Sequence, residues 1–463
     1  MINIDRKDII WNYAATFLKI AASALLLPFI LRMMPSEMVG IWTVFITITA
    51  FASLLDFGFC QTFTRNVTYV FSGVSNLKAQ GFETVSTETQ KVDYGLLKGM
   101  ITAMRWIYLR SAIILLILLA TLGTWYINSL LQNYKGDRLE VYIAWVILCI
   151  INTYNLYTLY YDSLLQGKGL IKRSKQIVII GQIVYLSIAT LLIIKGYGLI
   201  SIVSAQFSSV IIVRWLSYYS FFTSDIKLKL KLAIPHPQNG VLNAIYPNAI
   251  KIGLTSLGGF MVLRSAIIIG SLYLPLEEIA SYGVTMQLIT IISALSTIYT
   301  YTFLPRIVQL RVEQNKQAIK RLYLNGLKYF FLTYLIGGAG ILIFGEMALN
   351  FIGSYTHLIL PSFLILAIIT SFLESNHALA GVILLTKNYV PFLKASLISG
   401  GATVILLLLF FKLTDIGLLS MIVAPAIAQL SYQNWKWPLV LIQDLEIRFE
   451  DLFIGNFKHI ADK

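Results

Sequence analysis

The sequence has little charge. Lys, Arg, Asp and Glu make up 13% of its 463 residues, about half of the roughly 25% that is typical of soluble domains. Hydrophobic residues reach 57% and the mean hydropathy is +0.75. A soluble fold of this length could not enclose so many apolar side chains, so the excess must face lipid. The composition predicts an all-α polytopic membrane protein.

Cysteine and histidine are also scarce. The two cysteines, Cys60 and Cys149, fall in or beside apolar segments, which favours structural thiols over a disulfide framework. A P-loop motif is absent, which excludes ATP as a direct energy source. Glu374 and His377 have an i, i+3 spacing that metal ligands use, but a lone pair predicts no metal site. We expect neither catalysis nor a bound cofactor.

Apolar runs of the length needed to cross a bilayer, about 20 residues, occur twelve times. The first lacks a signal-peptide cleavage site after it, so we expect it to be retained. The predicted spans are 9–31, 39–60, 102–127, 139–165, 176–194, 198–222, 248–272, 279–303, 327–350, 358–385, 389–411 and 416–437.

The net charge of +14 comes from Lys and Arg in the loops between spans, a distribution that sets orientation and does not indicate nucleic-acid binding. One set of alternate loops carries eighteen of these cations, and the other set carries Arg32, Lys135, Arg138, Lys195 and Lys412. The positive-inside rule therefore predicts that both termini are cytoplasmic.

The chain looks duplicated. Gly198-Leu-Ile-Ser-Ile-Val203 resembles Gly417-Leu-Leu-Ser-Met-Ile422, and Pro35-Ser-Glu37 resembles Pro275-Leu-Glu277. Six helices in each half would give two lobes of the same orientation around a central cavity. We therefore predict a six-helix lobe over 1–222, a cytoplasmic linker without a span over 223–247, a second six-helix lobe over 248–437, and a cytoplasmic amphipathic tail over 438–463.

Ionisable residues inside apolar spans are costly and commonly face a cavity or a partner. Lys19 lies near the middle of the first span and Arg264 near the middle of the seventh, so we expect both to line a cavity that attracts anions; pairing with a neighbouring carboxylate or carbonyl is the alternative for Lys19. Arg214 is a weaker candidate of the same kind. Glu374 and His377 are candidates for proton coupling, although an ion pair between Glu374 and a cation would explain them equally well.

The stretch LLDFGFCQTFTRNVTYVFSG, residues 54–73, lies where the second apolar run ends. Asp56 is a further candidate for ion coupling, and Arg65 is expected near the cytoplasmic headgroups, as a contact for a lipid phosphate or as an interface anchor. On a continuous helix these two residues would lie on opposite faces. Gly58 is a point at which the helix could bend.

Several motifs resemble the Wzx-type polysaccharide and O-antigen flippases of the multidrug/oligosaccharidyl-lipid/polysaccharide (MOP) exporter superfamily. They are Leu55-Asp-Phe-Gly-Phe59 with Thr64-Arg-Asn66, Leu165-Gln-Gly-Lys-Gly169, and Gly40-Ile-Trp42 after the Pro35 turn. The resemblance implies a MATE/MOP-like fold, a bacterial inner membrane, and an undecaprenyl-diphosphate-linked glycan as cargo, with the diphosphate near Lys19 and Arg264 and Arg65 near the inner entrance. The resemblance also implies that the protein's partners are membrane lipids and the polysaccharide polymerase and glycosyltransferases of the same pathway.

Two other functions fit the same composition. An ion-coupled antiporter of drugs or small cations on the same fold would line its cavity with carboxylates, and would need Asp56, Asp162 and Glu374 to face inward. Proton or sodium coupling is expected for either transporter. A membrane polymerase or glycosyltransferase would need a sizeable outer loop, but the longest predicted one, NSLLQNYKGDRLE, has about a dozen residues.

Overall fold

A computed structural model describes residues 6–73, 92–387, 391–448 and 451. The described residues form helices joined by turns, with no strand among them. The α-helices are α1 (Arg6–Met33), α2 (Ser36–Leu54), α3 (Phe59–Phe71), α4 (Tyr94–Leu118), α5 (Thr124–Leu130), α6 (Arg138–Tyr157), α7 (Tyr160–Gly167), α8 (Ile171–Ile194), α9 (Gly198–Phe221), α10 (Ser224–Leu232), α11 (Gln238–Gly270), α12 (Leu276–Val312), α13 (Lys316–Ile352), α14 (Pro361–Leu385), α15 (Leu393–Leu413), α16 (Ser420–Leu430) and α17 (Gln433–Asp444).

Eleven helical segments of the described chain are long and apolar enough to span a membrane. The protein is therefore a multi-pass membrane protein, and the predicted fold class is confirmed. The twelfth predicted span differs from the expectation of one continuous helix. There α16 and α17 are separated at Tyr432, whose φ of −151° and ψ of −57° interrupt the helix.

The chain divides into two compact units. The first unit comprises Met1–Phe260, Ile267–Ala280 and Ile352–Thr356, and the second comprises Met261–Ala266, Ser281–Phe351 and His357–Lys463. The lobe boundaries predicted from the duplication stay a prediction.

The second span is broken at residues 55–58. Phe57 and Gly58 have φ angles of 47° and 71°, a left-handed conformation that glycine adopts readily and phenylalanine rarely. α3 then continues from Phe59, so the helix that carries Asp56 and Arg65 is not continuous. The opposite-face geometry, which holds only for a continuous helix, therefore does not apply.

A close approach of α11 stabilises this break within the first unit. A Cβ atom on Gly253 would lie 2.8 Å from Cα of Phe57, and one on Gly58 would lie 2.5 Å from Cγ2 of Ile252. Contacts this short exclude any side chain at either glycine unless the helices move apart. The two glycines therefore let α11 pack directly onto the break.

The connection between the two predicted lobes is more helical than expected. Residues 223–247 were predicted to form a linker, but α10 occupies Ser224–Leu232 and α11 begins at Gln238, ten residues before the predicted start of the seventh span. Hydrophobicity identifies only the part of a helix that lies in lipid. The polar first turns of α11 therefore could not be recognised from a search for apolar segments.

Two pairs of repeated motifs have matching local structures. The carbonyl of Pro35 accepts a hydrogen bond from Val39 N–H (3.1 Å) at the start of α2, and that of Pro275 accepts one from Ile279 N–H (3.2 Å) at the start of α12. Gly198 and Gly417 both have positive φ, 45° and 55°, where a helical segment begins. These local similarities agree with an internal duplication.

The end of α17 is bound to its neighbours by charge. Asp444 pairs with Arg311 (2.6 Å) and with Lys387. Burial alone would raise the pKa of Asp444, but the hydrogen bonds from Lys387 and Arg311 lower it below its ordinary value. The carboxylate is therefore ionised at neutral pH and connects α12, α14 and α17. Of the predicted amphipathic tail, residues 449–450 and 452–463 lie outside the described part of the chain.

Candidate transport site

Lys19 lies on α1 of the first unit, and its side chain is exposed. α1 packs against α8, and Lys175 of α8 lies close enough to interact electrostatically with Asp162 and, more weakly, with Lys19. Lys175 is one of the eighteen cations that the sequence analysis assigned to the loops. Two neighbouring ammonium groups repel each other, so an anion between them would be stabilised by both.

Arg264 lies on α11, in the segment of that helix that belongs to the second unit, and is half-buried. Arg65 lies on α3 and is exposed, on the side of the helix opposite its buried residues Phe63 and Val67. Neither arginine forms an ion pair with an acid in the described part of the chain, and the same holds for Lys19. We call Lys19, Arg65 and Arg264 the unpaired cations.

Arg214 is placed differently. It is buried on α9, and its Nη1 lies 2.8 Å from Oδ2 of Asp162 on α7. Its Nε and Nη2 donate to Oδ1 of Asn155 at 3.2 and 2.7 Å. The structure thus brings Arg214 and Asp162 together as a buried ion pair, which joins α6, α7 and α9. The sequence analysis had named Arg214 as a weaker cavity cation and Asp162 as a carboxylate that an antiporter would need, without joining the two.

Asp56 is bound on two sides at the break between α2 and α3. Its carboxylate accepts hydrogen bonds from Cys60 N–H at 3.0 Å and from the Tyr108 hydroxyl of α4 at 2.6 Å. The first bond caps α3, and the second satisfies a hydroxyl on a fully buried ring. Tyr108 is a site residue that the sequence did not indicate, because an aromatic residue within an apolar span carries no distinguishing pattern.

Replacing Asp56 with alanine is expected to lower the stability of the protein by about 2–4 kcal/mol. The change removes a helix cap, worth about 1 kcal/mol, and leaves the Tyr108 hydroxyl buried without a partner, at a cost of about 1–3 kcal/mol. Thermal unfolding of the purified protein in detergent measures the loss. Asp56→Asn, which keeps the acceptor oxygen, should lose much less. Equal stabilities of the Asp56→Ala variant and the native protein would contradict the capping role.

Glu374 and His377 of α14 belong to a chain of polar side chains in the second unit. Oε2 of Glu374 lies 3.6 Å from Nδ1 of His377 and accepts from Nε2 of Gln429 at 2.6 Å. Nδ1 of His377 donates to Oδ1 of Asn434 at 2.9 Å. Gln433 and Trp437 extend the chain along α17: Gln433 donates to Gln429 at 2.8 Å, and Trp437 donates to Gln433 at 3.2 Å.

A cavity of about 70 Å³ lies beside this chain, lined by Glu374, Gln429 and Asn434 and by the apolar residues Val262 and Met421. A single water needs at least roughly 10–15 Å³ of such volume, so the cavity has room for a few waters or an ion. Groups of three or more metal-ligating side chains are absent from the described residues.

No protein-family model and no curated protein sequence matches the chain. Solved structures do. A multidrug resistance MATE family transporter of the MOP superfamily, in an inward-facing conformation, aligns with a TM-score of 0.59 and 17% identity over 96% of this chain and 98% of its own. A MOP superfamily transporter from Pyrococcus furiosus, described as having a binding pocket of reverse polarity, aligns with a TM-score of 0.57 and 16% identity over 97% of both chains.

The lipid II flippase MurJ, in an inward closed conformation, aligns with a TM-score of 0.62 and 14% identity over 96% of this chain and 88% of its own. Similarity at this level of identity reveals a fold and leaves the cargo open, since one fold supports many functions. The chain therefore has the fold shared by MATE transporters and the flippase MurJ.

Proposed function

We propose that the protein is a flippase that moves an undecaprenyl-diphosphate-linked oligosaccharide, a repeat unit of O-antigen or of another surface polysaccharide, from the cytoplasmic to the periplasmic leaflet by alternating access. It acts in a bacterial inner membrane with both termini in the cytoplasm, beside the polymerase and glycosyltransferases of the same pathway. The observation that supports this cargo is a contrast between the acids and the cations of the spans.

The acids are already occupied by protein donors. Asp162 is paired with Arg214, Asp56 accepts from Tyr108 and Cys60 N–H, and Glu374 accepts from Gln429. An antiporter of organic cations needs carboxylates that are free to meet its cargo. Glu374 is engaged through one oxygen only and also lines the small cavity. Two of the three carboxylates that such an antiporter needs are therefore bound to other parts of the protein, which disfavours an organic cation as the cargo.

The unpaired cations present the opposite situation. A cation at the centre of a bilayer costs about 2.5–3.5 kcal/mol on insertion scales, and such residues commonly face a water-filled cavity or a partner. Lys19 and Arg264 form no ion pair with a described acid that would offset this cost. Lys175, which also interacts with Asp162, is a further cation near Lys19. A diphosphate would neutralise such groups, as a lysine attracts it as a point charge and an arginine binds it bidentately.

In this proposal, the site that couples transport to an ion gradient is separate from the cations that bind the diphosphate. Glu374 lines a cavity with room for an ion or a few waters. Nδ1 of His377 lies 3.6 Å from Oε2 of Glu374, and imidazole is a common proton carrier in proteins. We propose that protons, or sodium ions, drive transport through this pair. Transport at the same rate with and without both ion gradients would rule the coupling out.

The runner-up is an ion-coupled antiporter of drugs or small cations, which the similarity to a multidrug resistance MATE transporter favours. One experiment separates the two functions. The purified full-length protein is reconstituted into proteoliposomes with a fluorescent undecaprenyl-diphosphate oligosaccharide in one arm and a cationic dye in the other. We expect protein-dependent flipping of the lipid and no uptake of the dye. Dye uptake without lipid flipping would replace the flippase by the antiporter.

A further inference from the structure

α10 lies at the end of a membrane span. α9 has 24 residues, a length of about 36 Å, which exceeds the roughly 30 Å hydrocarbon core by a few ångströms. α10 begins at Ser224, three residues after α9 ends at Phe221, and it is held against α4 because Lys98 Nζ donates to the carbonyl of Ala233 at 2.8 Å. If α9 crosses the hydrocarbon core, these constraints would put α10 at the level of the lipid headgroups.

Two opposite sides of α10 are apolar. Ile226 is 2% exposed and packs on the protein, whereas Leu228 and Leu232 are 58% and 76% exposed. At about 100° per residue, Leu228 and Leu232 share one face that points roughly 200° away from Ile226. Ile234, just after the helix, is 85% exposed. One apolar face of α10 is therefore explained by packing within the protein and the other is not.

Lysines flank the exposed apolar face. Lys227 and Lys231 lie on one side of it, and Lys229 lies on the other. Lys229 is paired with Asp225 at 2.8 Å, and Lys227 Nζ lies 5.2 Å from the centre of the Tyr218 ring. Lys231 has no ion pair with any acid of the described chain. An exposed aliphatic face bordered by lysines is the pattern of a helix that lies in a membrane interface.

We infer that α10 binds the anionic phospholipid surface of the cytoplasmic leaflet, with its leucines among the upper acyl chains and Lys227 and Lys231 at the phosphate groups. The charge sign fits, because juxtamembrane lysines are attracted to anionic headgroups. The size of the face argues against a protein partner. Three aliphatic side chains offer a small part of the roughly 800 Å² per partner that a stable protein interface buries. This inference is independent of the transported cargo.

The test places a nitroxide label on the full-length protein after both natural cysteines are replaced by alanine. One variant carries Leu232→Cys and another carries Lys227→Cys. The proteins are reconstituted into vesicles of phosphatidylcholine alone or of equal parts phosphatidylcholine and phosphatidylglycerol, and the accessibility of each label to oxygen and to a water-soluble nickel chelate is measured. In the anionic vesicles, we expect the ratio of oxygen accessibility to nickel-chelate accessibility to be several-fold higher for the label at Leu232 than for the label at Lys227.

Removing charge should remove the preference. In the Leu232→Cys background, each of Lys227→Gln and Lys231→Gln should weaken the dependence on phosphatidylglycerol by about five-fold. The matched control is Lys195→Gln with Lys412→Gln, two exposed lysines on the predicted opposite side of the membrane, which should change nothing. Two results would overturn the inference. In one, the label at Leu232 is equally accessible to the nickel chelate in both vesicle types. In the other, that label is protected from the chelate in both vesicle types and the lysine variants do not change its protection.

Discussion

Replacing Arg214 with methionine should destabilise the protein by about 3–5 kcal/mol, the range measured when one partner of a buried ion pair is removed. The change leaves the carboxylate of Asp162 and the amide oxygen of Asn155 without their donor. The side chain of Asp162 is 27% exposed, against 5% for Arg214, so water relieves part of the penalty and the loss should fall toward the lower end of the range. Thermal unfolding in detergent, compared at matched protein concentration, measures it.

The double variant Arg214→Met with Asp162→Leu distinguishes charge from packing. Apolar residues of similar volume that replace both members of a buried pair are often neutral or stabilising. We therefore expect the double variant to be more stable than Arg214→Met alone and close to the native protein. If the double variant is as unstable as the single one, the loss comes from packing between α7 and α9 and the ion pair contributes little.

The pairing of Arg214 with Asp162 shows where sequence reasoning ends. Hydropathy locates α9 and places Arg214 within it, since burial in lipid needs only length and composition. It says nothing about helix rotation, which decides whether a guanidinium meets a cavity or a carboxylate. Because Asp162 is 52 residues away in sequence, no local spacing could have joined the two.

The break at residues 55–58 was also predicted only in part. Gly58 marked a place where the helix could bend, and it does have a positive φ of 71°. The left-handed conformation of Phe57 and the hydrogen bonds that Asp56 accepts could not be predicted. They depend on Tyr108 of α4 and on the close approach of Gly253 of α11. Both neighbours are set by tertiary packing.

Some helices are longer than the predicted spans for a physical reason. α12 and α13 have 37 residues each, whereas the corresponding predicted spans had about 25. A hydropathy window ends where charge begins, but a helix ends only where its backbone is capped or broken. Arg311 and Lys316 lie in the polar extensions of these helices, where Arg311 pairs with Asp444 and Lys316 pairs with Glu446 at 2.8 Å.

Replacing Lys19 or Arg264 with alanine should reduce flipping of an undecaprenyl-diphosphate oligosaccharide by at least about ten-fold. A hydrogen bond to a charged group contributes about 1.5–3 kcal/mol, and each 1.4 kcal/mol is a factor of ten in affinity. Neither side chain forms an ion pair with a described acid, so the stability of the fold should change little. The rate is measured in proteoliposomes, beside surface glycan in a strain that lacks the native gene.

Conservative variants show what each cation contributes. Lys19→Arg should keep most of the flipping activity, because the positive charge is retained. Arg264→Lys should lose activity, because lysine cannot form the bidentate contact that arginine makes with phosphate. Lys195→Ala and Lys412→Ala, exposed lysines at span ends, are the matched controls and should flip at the native rate. Unchanged flipping in both Lys19→Ala and Arg264→Ala, at equal protein levels, would show that the diphosphate binds elsewhere. Arg65 and Lys175 would then be the cations to replace next, since each can be removed without breaking an ion pair in the described chain.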